Sequence, residues 1–233
     1  MRIALLADLH GNWPATQALE KDLKAQNADQ IICLGDAVGK GPNSGRTLDW
    51  ALQSCGIYLG GNWDYGIGTR SFPMDSFYWN QLGEKRMKIL RELPREHHFM
   101  FSGRRIRLFH GRPVMEDLIT IRDETEAILP FFTGEDGVRF DVVGYADAHR
   151  QALRTMAPGL FFNCGSVGNA LGEPRCCYAL LEGETGHAPG PFEIRFRYLD
   201  YDRIAAVRDA REAPAIPRID AYIREVETGE YSR

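Results

Sequence analysis

The sequence has no apolar run long enough to cross a membrane. A spanning helix needs ~20 consecutive apolar residues, and every apolar stretch in the 233 residues is far shorter. No membrane association is expected. Cysteine is scarce: Cys33, Cys55, Cys164, Cys176 and Cys177 are odd in number and form no CxxC pair. That excludes a disulfide framework and a thiolate-held structural zinc. The cysteines read as small buried apolar residues in a reducing compartment. A basic face is missing as well. Lys and Arg total 28 against 32 Asp and Glu, a net charge of −4. This argues against non-specific nucleic-acid binding, although a bound metal can still supply local positive charge for a small anion. No cleavable leader pattern opens "MRIALLADLHG", so the cytoplasm is the expected location. Repeats, low-complexity tracts and linkers are also lacking, and residues 1–233 read as one domain.

What is present alternates. "RIALLAD" (2–8), "QIICLGD" (30–36) and "GIYLGGN" (56–62) are apolar runs too short for helices and read as buried strands. "NWPATQALEKDLKAQ" (12–26) and "NSGRTLDWALQSC" (43–55) between them have helical spacing. The alternation predicts parallel strands with helices packed on them. Residues 75–93 form a long helical stretch ended by Pro94, "RIRLFHG" (105–111) is a strand, and "ETEAILPFF" (124–132) a short helix broken near Pro130. Strands then dominate: "DVVGYA" (141–146), "LFFNCGSV" (160–167), "CCYALLEG" (176–183) and "FEIRFRYLDY" (192–201). Two amphipathic helices, "DRIAAVRDARE" and "RIDAYIREVE", close the chain. The aromatic stretch 66–80 reads as a lid or an interface.

Polar residues recur where the strands end. Asp8 and His10 follow the first strand, Asp36 the second and Asn62 the third. His110 ends "RIRLFHG", and Asp147 and His149 follow "DVVGYA". The C-terminal edge of an open α/β sheet is where such folds build sites. Residues i and i+2 of an extended chain project to one side, so Asp8 with His10, and Asp147 with His149, can converge. Taken singly each has a plainer reading: a turn or cap pair for Asp8/His10, a turn residue for Asn62, a core histidine for His110. Asp147 alone is half a metal site, a surface residue or the remnant of a lost site. Five such endings in one pattern outweigh the separate readings. Mixed N/O ligands suit Mn, Fe or Zn better than Ca or Mg. Of six histidines, His97, His98 and His187 sit in polar stretches and read as solvated surface.

"DLHGN", "GDAVGKGPNS", "GNWD", "FHGRP" and "YADAHRQ", in this order, resemble the calcineurin-like metallophosphoesterase superfamily, closest to its small bacterial and archaeal phosphodiesterase branch. "DLHGNWPATQAL", "FFNCGSVGNALGEPRCCYALL" and "YDRIAAV" extend the resemblance over nearly the whole chain. It implies an α/β fold, a four-layer αββα sandwich of two mixed β-sheets flanked by helices. It also implies two divalent metal ions, Mn or Fe, with Zn or Ni as alternatives. One would be held by Asp8, His10, His149 and a shared Asp36, the other by Asp36, Asn62, His110 and Asp147. A hydroxide bridging the metals would attack phosphorus. Asp36, Asn62 and Asn12 would be the catalytic set, Asn12 donating a hydrogen bond to phosphate. Lys40 and Arg112 would neutralise phosphate oxygens or stand as solvated loop charges. Trp13, Trp63 and Tyr65 read as packing residues, or as stacking surfaces for a nucleobase.

Two departures qualify the resemblance. The family's G-H-T-H reads Ala146-Asp147-Ala148-His149, placing a carboxylate where a second-metal imidazole is the rule. Trp63 replaces the histidine many members carry between Asn and Asp. Indole cannot shuttle a proton near neutral pH, which favours good leaving groups, and Asp64 is left to cap a turn. The expected activity is hydrolysis of a phosphodiester or phosphoanhydride, and the expected partner a small phosphorylated substrate of nucleotide type. The alternatives are a weakly catalytic metal- or nucleotide-binding regulator on the same fold, or a phosphomonoesterase or protein phosphatase. A homo-oligomer is compatible with all of these.

Overall fold

The computed structural model describes residues 1–111 and 118–233. Its first half alternates β1 (Arg2–Leu6), α1 (Trp13–Ala25), β2 (Gln30–Cys33), α2 (Ser44–Ser54), β3 (Ile57–Tyr58), α3 (Asn62–Gly68) and α4 (Ser76–Glu92). Then follow β4 (Glu96–Phe101), β5 (Arg104–Phe109), α5 (Thr125–Ile128), β6 (Val142–Tyr145), β7 (Ala152–Met156), β8 (Gly159–Asn163), β9 (Cys176–Gly183) and β10 (Phe192–Leu199). The last elements are α6 (Arg203–Arg211) and α7 (Ile219–Thr228). They form two mixed five-stranded sheets, ordered β10-β9-β1-β2-β3 and β4-β5-β6-β8-β7. β1, β2 and β3 run parallel, as do β5, β6 and β8. The two halves of the sequence are interleaved: β9 returns from the second half to pair antiparallel with β1.

Four layers follow from strand alternation. Ala4 and Leu6 of β1 face a core shared with Leu19 and Leu23 of α1, Leu48 and Ala51 of α2, and Leu82 and Leu90 of α4. Ile3 and Leu5 face the other way, against Ile106, Leu108, Val142 and Phe162 of the second sheet. The outer face of that sheet, through Phe109, Val143, Tyr145 and Phe161, packs under α5 and the short 3-10 turn after it, with Ile128 and Phe132. Helices, sheet, sheet and helix thus stack as expected. α1 starts cleanly because Asn12 Oδ1 accepts from the Ala15 N–H at 3.1 Å and Pro14 needs no donor partner.

β4 and β7 were not expected from sequence, and both are edge strands of the second sheet. An edge strand is half solvated and carries no continuous apolar run to announce it. β4 joins β5 through Ser102 and Gly103, both at positive φ (50° and 73°), as a two-residue hairpin requires. This puts His97 and His98 on a strand, with His97 stacked on Phe99 and His98 beside Glu96 at 3.2 Å. The third strand is shorter than expected, because Asn62 opens α3. The stretch 66–80 is largely helical, with α4 bent where Gly83 takes a φ of 70°.

α1 is pinned to the first sheet by one charged cluster. Arg197 of β10 donates to both Asp22 oxygens (2.8 and 3.0 Å), and Tyr178 of β9 donates at 2.6 Å. Partial burial alone would raise the Asp22 pKa, but the Arg197 and Tyr178 hydrogen bonds bring it below the ordinary value. A depressed carboxylate contributes stability above its unfolded pKa and loses it as pH falls through the folded one. Asp22→Asn is therefore expected to cost about 1–2 kcal/mol at pH 7. The difference should close as the pH falls below about 4, as checked by denaturant midpoints at both pH values.

Candidate metal centre

The strand-end residues meet where the C-terminal ends of both sheets come together. Backbone bonds set the meeting: Asp8 N–H donates to Gly35 O (2.9 Å), His10 N–H to Asp36 O (3.1 Å) and Ala146 N–H to His110 O (2.8 Å). Asp8, His10, Asp36, Asp147 and His149 all sit at positive φ, between 45° and 63°. None is in an extended strand, so Asp8 and His10 converge through left-handed turns and not through the pleat. That conformation is unfavourable for residues with a Cβ and gathers at functional sites. A Cβ on Gly168 would overlap the Leu9 carbonyl, and one on Gly61 would overlap the Asp36 carboxylate.

Asp8, His10 and Asp36 are fully buried, and His110 and His149 nearly so. Asp8 Oδ1 lies 3.7 Å from His10 Nε2, 3.8 Å from His110 Nε2 and 3.5 Å from His149 Nε2. Asp36 Oδ2 lies 3.3 Å from His110 Nε2 and 3.8 Å from His10 Nε2. Two groups of donor atoms result, Asp8–His10–His149 and Asp8–Asp36–His110, each within 4.8 Å. Asp8 is common to both. Asp36 Oδ1 accepts from the Trp63 N–H (2.9 Å) and the Asp64 N–H (3.4 Å), so any shared role of Asp36 falls on Oδ2 alone.

These side chains fit cations. Both Asp8 oxygens, Asp36 Oδ2 and His110 Nε2 are buried with no hydrogen-bond partner among the described residues. Each histidine turns Nδ1 to a backbone carbonyl: Val38 O at 3.1 Å for His10, Leu34 O at 3.0 Å for His110, Asn169 O at 2.6 Å for His149. With the proton on Nδ1, every Nε2 presents its lone pair inward, the arrangement that orients metal-binding imidazoles. The Nε2 atoms of His10 and His149 are then only 3.2 Å apart. Two opposed lone pairs need a positive centre near them. Burial raises the Asp8 pKa well above normal, and Asp36 and Asp147 add to the rise while His110 opposes it. Burial, followed by the charge of Lys40, pushes His10 and His149 well below the usual histidine value. His110 goes the other way: burial would lower it, but Asp36 and Asp8 raise it further.

Asp147 and His149 part company. His149 faces His10 and Asp8. Asp147 lies at the rim, with its side chain 22% exposed and Oδ1 3.8 Å from His110 Nε2. Asn62 Nδ2 donates to the same oxygen at 3.4 Å. The expected second-site residues Asn62, His110 and Asp147 are therefore neighbours, but Asp147 belongs to neither compact group.

Several other expectations change. Asn12, expected to reach phosphate, has both ends of its amide engaged in the fold. Its oxygen caps α1, and its nitrogen donates to Gly168 O at 2.8 Å and Tyr201 Oη at 3.3 Å. Trp63 packs edge-on to His10 (5.8 Å) and Tyr78 (6.5 Å). Trp13 is covered by the Arg46 guanidinium, and Tyr65 by that of Arg95. Asp64 does more than cap a turn: it accepts from the Asp36 N–H (2.7 Å), the Gly61 N–H (3.1 Å) and Tyr58 Oη (2.9 Å), fixing the loop that carries Asp36. Burial, then Asp36, raises its pKa to about 7. Arg112 lies outside the described residues.

Asn169 was missed. Its carbonyl orients His149, its Oδ1 accepts from Lys40 Nζ at 2.9 Å, and its Nδ2 donates to Glu225 at 3.1 Å. Ser166 fixes that loop by donating to Asp8 O (3.0 Å) and accepting from the Asn169 N–H (2.9 Å). The signal was "CGSVGNALGEP", a polar glycine-rich loop between two buried strands. Lys40, 7% exposed, is hydrogen-bonded to this loop through Asn169. Burial and then Arg233 lower its pKa to about 8.

Two facing mixed sheets with a buried carboxylate–imidazole cluster at their shared edge define an α/β protein equipped to hold cations. The chain belongs to the calcineurin-like phosphoesterase superfamily, whose domain model matches residues 1–186. That family is metal-dependent, and the cluster of Asp8, His10, Asp36, His110 and His149 is its candidate site here. A metallophosphoesterase from Sphaerobacter thermophilus superposes with a TM-score of 0.77 at 22% identity, over 98% of this chain and 99% of its own. A hypothetical protein from Pyrococcus horikoshii gives 0.77 at 21%, over 99% of each chain. At these identities the likeness is one of fold. An uncharacterized protein of Methanocaldococcus jannaschii is 28% identical over 120 residues, 48% of this chain and 49% of that protein, so the match spans about half of that curated relative.

Elemental analysis after loading with Mn is expected to find two equivalents in the wild type, about one in Asp147→Ala and less than one in Asp8→Ala. Two equivalents retained in Asp147→Ala would remove Asp147 from the ligand set.

Proposed function

We propose that the chain hydrolyses a phosphodiester or phosphoanhydride, of nucleotide type, using two divalent cations, Mn or Fe. One observation carries the reading. A cavity of about 1580 Å³, lined by Asn62, Asp147 and His149 and extending past Tyr65, Phe72 and Met74, opens beside the buried, unpartnered atoms of Asp8, Asp36 and His110: Asp147 Oδ1 is 3.8 Å from His110 Nε2 and His149 Nε2 is 3.5 Å from Asp8 Oδ1. The family is one of phosphoesterases, and the cavity has room for more than a phosphate group. Bound cations would polarise phosphoryl oxygens and supply water ionised near neutral pH.

The chain's own residues supply the rest. Asp8 and Asp36 would hold the cations together with the imidazoles, which the three Nδ1–carbonyl bonds keep oriented. Asn62 is positioned at the rim, its Oδ1 accepting from the Trp63 N–H (3.0 Å) and its Nδ2 donating to Asp147. Lys40 supplies a positive charge to phosphate oxygens from the His10–His149 side. Trp63 offers no proton for a departing oxygen, and loss of a positioned acid typically costs about 10²–10⁴-fold. Substrates that leave without protonation are therefore favoured: aryl phosphodiesters and phosphoanhydrides over alkyl monoesters.

The position of Asp147 outside the compact groups favours a second reading, a protein with one firmly held cation and weak turnover. A panel separates the two. With Mn loaded, bis-p-nitrophenyl phosphate and nucleoside diphosphates are expected to turn over at least about tenfold faster than the alkyl monoester glycerol phosphate. A monoester preference would overturn the substrate class. No turnover at two equivalents of metal would leave the binding-protein reading.

A further inference from the structure

Behind the metal centre a second charged group points into the same cavity. Arg233 is folded back over α7. Ser232 N–H donates to Glu225 Oε1 (3.1 Å) and Ser232 Oγ to Ala221 O (3.1 Å), which fixes the backbone just before it. The Arg233 side chain is only 7% exposed. Its Nε donates to Glu225 Oε2 at 3.4 Å. Its guanidinium carbon lies 5.6 Å from the Trp63 ring centroid, over the ring. Its Nη2 is buried with no hydrogen-bond partner among the described residues, and the residue lines the cavity together with Lys40, Asn62, Trp63 and His149.

A buried guanidinium is costly unless its donors are used. Glu225 accounts for one edge of this one, and it is itself shared: Asn169 Nδ2 donates to the same carboxylate oxygen at 3.1 Å. Asp75 is within range of the guanidinium's charge, and no hydrogen bond joins them. Lys40 stands nearby, bound to Asn169 Oδ1 at 2.9 Å. Two fixed cations therefore share one buried carboxylate, Glu225, at the cavity wall beside the metal centre. Once Asp8, Asp36 and Asp147 are balanced by two divalent cations, this wall carries excess positive charge, which an anion would neutralise. A guanidinium held at one edge and across its face keeps its remaining N–H donors oriented at little entropic cost.

We propose that Arg233 grips a phosphoryl group of the substrate, acting with Lys40 and positioned by Glu225 and Trp63. This rests on the hydrolase reading and extends it by assigning the phosphate-contacting residue, which comes from outside the strand-end motifs.

The test measures inorganic phosphate binding by titration calorimetry on Mn-loaded wild type, Arg233→Ala and Arg233→Lys, with metal content and melting temperature recorded for each. Arg233→Ala is expected to weaken phosphate by about tenfold or more and to raise KM similarly, with kcat within about threefold and metal content unchanged. Arg233→Lys keeps the charge opposite Glu225 and guards against a folding artefact. It should recover part of the affinity, because an ammonium lacks the planar fork. Equal phosphate affinity in all three proteins, or no phosphate binding by the wild type, overturns the inference. An Arg233-dependent phosphate affinity in a protein that turns over no ester would uphold it while removing the hydrolase reading. Robust turnover with unchanged phosphate affinity and KM would do the reverse.

Discussion

Asp8 and Asp36 are carboxylates brought together in a dry space, and three oxygen atoms between them have no hydrogen-bond partner among the described residues. His110 and, more weakly, Lys40 offset this only in part. The nearest imidazoles turn their proton-bearing nitrogens outward to backbone carbonyls and their lone pairs inward. Incompletely compensated buried charge of this kind costs several kcal/mol, so the fold without cations carries an electrostatic load at its centre. A cation that binds there relieves the load and stabilises the folded state by mass action. The left-handed backbone at five of the candidate ligands adds local strain in the same place.

The surrounding structure is arranged to bear that load. Parallel β1, β2 and β3 on one sheet and β5 and β6 on the other deliver their C-terminal ends to one edge. Asp64 holds the Asp36 and Gly61 N–H groups, while the Trp63 and Asp64 N–H groups hold the Asp36 carboxylate. The loop from Ser166 to Asn169 locks Asp8 and His149 from the opposite side. Through Asn169 and Glu225 the same hydrogen-bonded chain continues to Lys40 and α7. A helix distant in sequence is thereby joined to the metal centre.

Much of this was legible in the sequence because buried parallel strands are continuous apolar runs with abrupt polar ends. β1, β2, β5 and β6 announced themselves and marked Asp8, Asp36, His110 and Asp147 at their termini. β4 and β7 did not: β4 opens on the polar Glu96-His97-His98, and β7 is only five residues long with none of them buried. Positions whose meaning depends on tertiary contacts were also out of reach. Asn12 and Asn169 are both asparagines in glycine-containing loops. Asn12 before Trp13-Pro14 carries a helix-start signal, but only the fold reveals that its nitrogen is also engaged and that Asn169 orients His149. Arg233 follows a polar stretch and carries no motif, so its burial against Trp63 could not be anticipated. The divergence of Asp147 and His149 to different halves of the cluster likewise needs the turn geometry, which a D-x-H pattern does not encode.

The buried carboxylates and inward imidazole lone pairs are expected to hold two cations. Anomalous diffraction from Mn-loaded crystals tests this directly. Two peaks are predicted, one between His10 and His149 and one against His110, with Asp8 and Asp36 Oδ2 lying between them. A single peak at full Mn loading, or density with Asp8 and Asp36 uncoordinated, would contradict the account.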